Sequence, residues 1–204
     1  MNHVMLDIDT MSNKSNAAII QIGAVQFNPY TGDVRMEFEV NIDITSCLLA
    51  GLDVNPETVQ WWRGQSEDAK KALMAGQKYP LSVALKNFTA FVEGLNCKYG
   101  PFVWGNGSDF DNVILTNAYE ALNMKRPWHY RNDRDVRTLV ALGKTFGINP
   151  FEEKRTGTYH RGIDDCKYQI GYCSKIWMAV QSLKEKKSTG DFKPMVGNTL
   201  EGVA

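Results

Sequence analysis

The sequence predicts an α/β domain built on one mixed sheet. Two observations point there. Three strand-like apolar runs come first, within residues 4–8, 17–27 and 34–42, with connections short enough for an antiparallel meander. Helical and strand patterns then alternate, which adds parallel strands to the sheet and helices to its faces. Ligands of such sheets bind at strand ends.

The first run is Val4-Met5-Leu6-Asp7-Ile8-Asp9-Thr10. Side chains alternate across a strand, so Leu6 and Ile8 share one face and Asp7 and Asp9 the other, roughly 7 Å apart along the backbone. Two carboxylates in an apolar strand are costly to bury unless a positive charge compensates them. A divalent cation would do so, and hard oxygen ligands suit Mg²⁺ or Mn²⁺. The alternative is an edge strand with two solvated aspartates.

Ala17 to Phe27 reads as the second strand, Asn28 to Asp33 as a turn, and Val34 to Ile42 as the third strand. Asn55 reads as a helix N-cap with Pro56 at the first helical position. Trp61 and Trp62 follow and are expected to pack that helix on the core rather than meet a ligand. Leu81, Leu85, Phe88, Val92 and Leu95 keep helical spacing. Phe102-Val103-Trp104 is a short buried-type strand, and Gly105-Asn106-Gly107 a tight turn. Ser108 is placed to cap a helix carrying Phe110, Val113, Ile114, Ala118 and Leu122. An amphipathic helix is expected from Arg134 to Phe146, ended by Gly147, followed by a loop over 148–162. The last helix begins near Ile163 and buries Cys166, Ile170, Cys173 and Trp177. Residues 1–183 are expected to form one domain, and 184–204 a polar tail.

No apolar run approaches the ~20 residues of a membrane span, and no signal-peptide pattern opens the chain. The cysteines Cys47, Cys97, Cys166 and Cys173 form no Cys-x-x-Cys, which fits reduced thiols in a cytoplasmic protein. Net charge is zero, a weak argument against a protein that coats nucleic acid. The charge is uneven, however. Residues 125–161 hold nine Lys or Arg and four acids, so the stretch is +5 and the remainder −5. Trp128, Tyr130 and Tyr159 are interleaved with it. This is either a phosphate path with stacking platforms or a solvated basic surface over core aromatics.

Three acidic stations recur. Asp7 and Asp9 form the first. Asp111 follows a strand and lies in a helix's first turn. In His160-Arg161-Gly162-Ile163-Asp164-Asp165 a loop histidine precedes a helix whose first turn carries Asp165. Capping and helix-dipole roles would explain the later two singly. Together the three place four carboxylates and one imidazole at element ends.

This set resembles the DEDD superfamily of 3′-5′ exonucleases, in its histidine subgroup (DEDDh), which includes ribonuclease T, oligoribonuclease and polymerase proofreading subunits. The family's first motif, Asp-x-Glu then Thr, is matched by Asp7-Ile8-Asp9-Thr10. Its second, an Asp after an Asn-x-x-Phe type turn, is matched by Asp111, and its third, His-x-x-x-x-Asp, by His160 and Asp165. The Ile19-to-Val25 run resembles the family's second strand. Asp135-Val136-Arg137-Thr138-Leu139 and the Trp61-Trp62 pair resemble an exoribonuclease-like branch of phage and bacterial proteins. The departure is Asp9 where the family usually has Glu. The resemblance, over about residues 4–180, implies an RNase H-like fold and hydrolysis of single-stranded DNA or RNA from 3′ ends or overhangs to nucleoside 5′-monophosphates. It implies two Mg²⁺ or Mn²⁺ ions on Asp7, Asp9, Asp111 and Asp165, and His160 as general base. Thr10, Met11, Ser12, Asn106 and Arg137 would contact substrate, and a homodimer is possible. Two readings compete: an RNase H-like binding module with impaired catalysis, and a haloacid-dehalogenase-type phosphatase. The phosphatase motif Asp-x-Asp-x-Thr would need Thr where Met11 stands, and a helix rather than a strand after the first motif.

Overall fold

The computed structural model describes residues 1–149 and 155–188. Its centre is a six-stranded sheet of order β4-β3-β2-β1-β5-β6. The strands are β1 (His3–Thr10), β2 (Ile19–Phe27), β3 (Val34–Ile42), β4 (Lys78–Tyr79), β5 (Phe102–Gly105) and β6 (Asp133–Asp135). The expected meander is present: β1 pairs antiparallel with β2, and β2 with β3. β5 lies parallel to β1, and β6 parallel to β5. The outermost strands have only two and three residues, which limits the exposed edge that could pair with another chain.

Helices cover both faces. They are α1 (Ile44–Leu49), α2 (Pro56–Arg63), α3 (Glu67–Met74), α4 (Leu81–Gly94), α5 (Asp111–Ala121), α6 (Val136–Thr145) and α7 (Gly162–Ser188). Leu6 and Ile8 point to one core with Leu85 and Phe88 of α4 and Ile114 and Leu115 of α5. Met5, one residue out of phase, points to the other core with Val136 of α6 and Cys166, Ile170 and Cys173 of α7. Asp7 and Asp9 therefore lie on the α7 face, as strand alternation requires.

Several local expectations change. The sequence places a helix from Arg134, but Asp133–Asp135 pair with Val103–Gly105 as an edge strand, and Asp135 then caps α6, accepting from the amides of Arg137 and Thr138. Three alternating charges carry no strand pattern; they extend because β5 offers them an edge. Ser108 does not cap the next helix. α5 starts at Asp111, has no side-chain cap, and the Asp111 carboxylate reaches back to earlier amides. Asn55 does cap α2, accepting from Glu57 N at 2.8 Å. α1, α3 and β4 are short elements absent from the sequence reading, although Ser66 caps α3 by accepting from Ala69 N. The last helix runs to Ser188, five residues into the expected tail. The remainder of that tail, with Glu152, Glu153 and Lys154, lies outside the described residues.

One contact seats α7 on the sheet. A Cβ on Gly23 would lie 2.5 Å from the backbone carbon of Gly162, and one on Gly162 would lie 2.9 Å from Gly23 Cα. The two backbones touch where any larger residue would hold them apart. Gly162 N also donates to Gln21 Oε1 at 2.8 Å. Gly23 stands opposite Asp7, and Gln21 opposite Asp9. The start of α7 is thus fixed beside the two strand carboxylates.

At the other end of β1, His3 is buried among Phe27, Phe102, Trp104 and Trp177. Its Nδ1 accepts from Trp104 Nε1 at 2.9 Å, which requires that nitrogen unprotonated. Burial, then the charges of Arg134 and the N-terminal amine, pull its pKa down to about 4.

Two outcomes follow. Gly23→Ala should lower stability by about 1–3 kcal/mol through overpacking, read as a fall of several degrees in Tm. Gly94→Ala, where an added Cβ meets nothing within 4 Å, should not lower it; equal melting of both variants would remove the contact from its role. For His3, the unfolded chain binds the extra proton between about pH 6.5 and 4 and the folded chain does not. Its contribution is therefore complete above pH 6.5 and lost as pH falls towards 4, by up to about 3 kcal/mol. Urea unfolding of wild type against His3→Gln should show this extra slope in wild type alone.

Candidate active site

Three elements deliver four carboxylates to one place. Asp7 and Asp9 end β1, Asp111 opens α5 directly beyond parallel neighbour β5, and Asp165 lies in the first turn of α7. Asp9, Asp111 and Asp165 are buried and Asp7 is half-buried. A shift of register between Asp9 and Thr10, where Ile20 of β2 is skipped, changes the local twist at the strand end.

Asp111 is tied to the other elements through its oxygens. Oδ1 accepts from Ile8 N at 3.1 Å and Oδ2 from Asn106 N at 2.7 Å. Gly105 makes room for it: a Cβ there would sit 3.0 Å from Asp111 Cβ. Asp7 Oδ1 accepts from Gln169 Nε2 at 3.0 Å. Asp165 Oδ1 pairs with the Arg155 guanidinium. Asp9 Oδ2 is buried and has no hydrogen-bond partner among the described residues.

The electrostatics follow from crowding. Burial raises the Asp7 carboxyl well above the usual range, and the charges of Asp111, Asp9 and Asp165 raise it further. Burial does the same to Asp9, reinforced by Asp165, Asp111 and Glu39. Asp111 is pushed up to about 6 by burial, restrained by its backbone donors and by Arg137. Asp7, Asp9 and Asp111 are acids short of cations, with one Asp9 oxygen orphaned. Oxygen donors of this kind fit a hard divalent ion. As the side chains lie, no three His, Cys, Asp or Glu among the described residues form a finished metal site; Asp165 faces Arg155 and Asp111 its two amides.

His160 stands at the rim, with a positive φ of 59° in the loop before α7. It is half-buried between Trp61 and Trp62, ring centroids 5.1 and 5.5 Å away, both edge-on. Burial lowers its pKa, opposed by Asp165 and aided by Arg155. The core reading of the tryptophan pair holds for Trp62 alone. Trp62 is buried and donates from Nε1 to Thr10 O at 2.8 Å. Trp61 is 48% exposed and lines the groove over the carboxylates. Adjacent helical residues point about 100° apart, so one is buried and the other exposed although both reach His160.

The other expected contact residues divide. Asn106 and Arg137 line the groove. Thr10 and Ser12 line it too, but Thr10 Oγ1 donates to Ser12 O and Ser12 Oγ to Asp53 Oδ2, both at 2.6 Å, so their hydroxyls hold the loop after β1. Met11 is not brought there; it packs on the core and borders a separate apolar groove. Trp128 is no stacking platform: it is buried, with Nε1 donating to Asp133 Oδ1 at 2.6 Å. Of the basic stretch, Arg126 pairs with Asp133 and Arg161 with Glu39, while Arg137, Lys144 and Arg155 face the site. Sequence reasoning missed Gln169, Arg155 and Gln21. Gln169 alone had a readable signal, standing four residues after Asp165 on the same helical face.

The exodeoxyribonuclease of Enterobacteria phage T4 is 20% identical over 219 residues, spanning 94% of this chain and 96% of that protein. The nuclease domain of 3′hExo, a DEDDh family member bound to rAMP, superposes with a TM-score of 0.55 at 14% identity, covering 86% of this chain and 91% of that one. E. coli exonuclease I in complex with a dT13 oligonucleotide gives 0.56 at 11% identity, covering 92% and 43%. These likenesses establish the RNase H-like fold, and with it the antiparallel β2 that the phosphatase reading does not accommodate. The family description "3′-5′ exoribonuclease Rv2179c-like domain" matches residues 2–177. Over that match the chain belongs to the Rv2179c-like 3′-5′ exoribonuclease domain family and is a 3′-5′ exonuclease.

Proposed function

We propose that the chain hydrolyses single-stranded DNA or RNA, or 3′ overhangs, one nucleotide at a time to nucleoside 5′-monophosphates, using divalent metal and His160. The observation that carries this reading is the meeting of Asp7, Asp9, Asp111 and Asp165 at one strand end under His160, with one buried carboxylate oxygen unpaired. Those four carboxylates would hold two Mg²⁺ or Mn²⁺ ions. Bound there, the ions supply the positive charge that steadies the attacking and leaving oxygens.

The remaining steps belong to side chains of this chain. His160 takes a proton from the attacking water; its depressed pKa keeps the imidazole unprotonated at neutral pH, ready to accept. Arg137 lies beside Asp111 and meets the phosphate. Trp61, exposed over the groove, offers the terminal base a stacking face. The loop that Ser12 and Asp53 fix closes the groove beside β1. A cytoplasmic setting belongs to this reading, which the four unpaired thiols suit, and so does a homodimer, on the family resemblance. None of the described helices is long and apolar enough to cross a membrane.

The direct test is an oligonucleotide labelled at either end. The 3′ label should leave at once as mononucleotide, the 5′-labelled strand should shorten stepwise, and EDTA should stop both. Asp7→Asn should abolish hydrolysis with the fold intact, and His160→Ala should slow turnover by about 10²–10⁴-fold while sparing metal binding in calorimetry. Activity within threefold of wild type in Asp7→Asn, or cleavage of a closed circle, would refute the reading.

Asp9 generates a second outcome. It is one methylene shorter than Glu and reaches about 1.5 Å less far. Mg²⁺ demands near-ideal octahedral geometry and yields its waters reluctantly, whereas Mn²⁺ stands at the weak end of the transition-metal order yet accepts carboxylate and water ligands readily. Hydrolysis at equal sub-saturating metal should be faster with Mn²⁺, and Asp9→Glu should narrow the gap. Equal metal midpoints in wild type would end the argument from reach.

A further inference from the structure

We infer that the groove between α6 and α7 carries the strand on the 5′ side of the bond that is cut, with Lys144 and Arg137 holding its phosphates. This rests on the exonuclease reading above and adds the path and polarity of the substrate. Two grooves meet at the carboxylates, and both are bordered by Asp7, Asn106, Arg137, His160 and Asp165. The first, about 550 Å³, continues along α2 under Trp61. The second, about 700 Å³, runs away from the site past Lys144, Tyr159 and Tyr168.

Their charges differ. Beyond the shared residues, the α2 groove adds Asp9, Asp111 and Glu57 and no lysine or arginine, with Asn13, Asn55 and Thr58 as uncharged polar groups. The α6–α7 groove adds Lys144 and Arg155 and no acid. Arg137 and Lys144 stand seven residues apart on α6, two turns along one face, roughly 10 Å. Both are exposed, and neither has an ion-pair partner among the described residues. Arg155 is different: it is paired with Asp165 and stacked on Tyr159 and Tyr168, 3.9 and 5.1 Å from the ring centroids. Two unpaired cations in line, over a wall of tyrosines, match the chemistry that tracks a single strand.

Polarity follows from where the phosphates are. A 3′-terminal nucleotide is joined to the strand by the phosphate under attack and carries none beyond it. Every further phosphate lies on the 5′ side. A row of cations is therefore useful on the 5′ branch only, and a groove without further cations and with one exposed indole suits the terminal nucleoside. The strand comes in along α6 and ends under Trp61.

The test uses single-stranded DNA pentamers in which one phosphate at a time is a neutral methylphosphonate. Each is measured by kcat and KM with metal and by fluorescence anisotropy in EDTA. In wild type, neutralising one phosphate upstream of the scissile one should weaken binding by about fivefold, in KM and not in kcat. Lys144→Ala should bind the unmodified strand about fivefold more weakly, and neutralising that same phosphate should then cost it little more. Lys144→Arg should restore the wild-type pattern. Identical methylphosphonate profiles in wild type and Lys144→Ala would overturn the assignment. So would Lys144→Ala weakening inhibition by a nucleoside 5′-monophosphate without altering the profile, since the released nucleotide would then occupy the groove. Absence of hydrolysis in wild type would speak against the exonuclease reading, and the anisotropy series would still decide whether Lys144 meets a phosphate.

Discussion

Everything at the reacting end of this molecule depends on two glycines that touch. Gly23 in β2 and Gly162 at the start of α7 meet backbone to backbone, closer than any Cβ would permit. Because Gly23 is opposite Asp7, this contact sets the first turn of α7 over the strand carboxylates. Asp165 and His160 come from sequence positions more than 150 residues away from Asp7, yet their placement relative to it is fixed by packing, with no long side chain as intermediary. Gln21 adds a directional hydrogen bond to Gly162, so the approach is held in orientation as well as distance.

That closeness has an electrostatic cost. Four carboxylates in a partly dry pocket repel one another, and each loses water it would otherwise keep. The chain offsets this only in part, with two backbone amides for Asp111, Gln169 for Asp7 and Arg155 for Asp165. Asp9 Oδ2 receives nothing among the described residues. A fold concerned with stability alone would not assemble such a group. The proposed divalent ions would offset this imbalance.

The walls of the site divide by chemistry. The α2 side presents one exposed indole, uncharged polar groups and Glu57. The α6–α7 side presents cations over tyrosines. The division arises from where the basic stretch falls in three dimensions. Its nine cations all fall within residues 125–161, but Arg126, Arg134 and Arg161 are drawn to Asp133, the Phe102 ring and Glu39. Those that remain beside the carboxylates are the ones that α6 and the loop before α7 carry past the strand ends.

The sequence by itself determined the meander, the long helices and the identity of the acidic stations. Each is a local matter: alternation in β1 sends Asp7 and Asp9 to one face, Asn55-Pro56 starts a helix, and His160 with Asp165 is a five-residue pattern. It also carried the family resemblance, because motif order along the chain is a one-dimensional property. Tertiary structure decided the rest. Asp133–Asp135 extend because a neighbouring strand edge is there to pair with. Asp111 serves the loop and β1 because Ile8 N and Asn106 N reach it across 103 and five residues of chain. Trp61 and Trp62 are adjacent letters that both reach His160, but one is buried with its indole bonded to Thr10 and the other half exposed, because a helix turns 100° between them and only one direction leads inward.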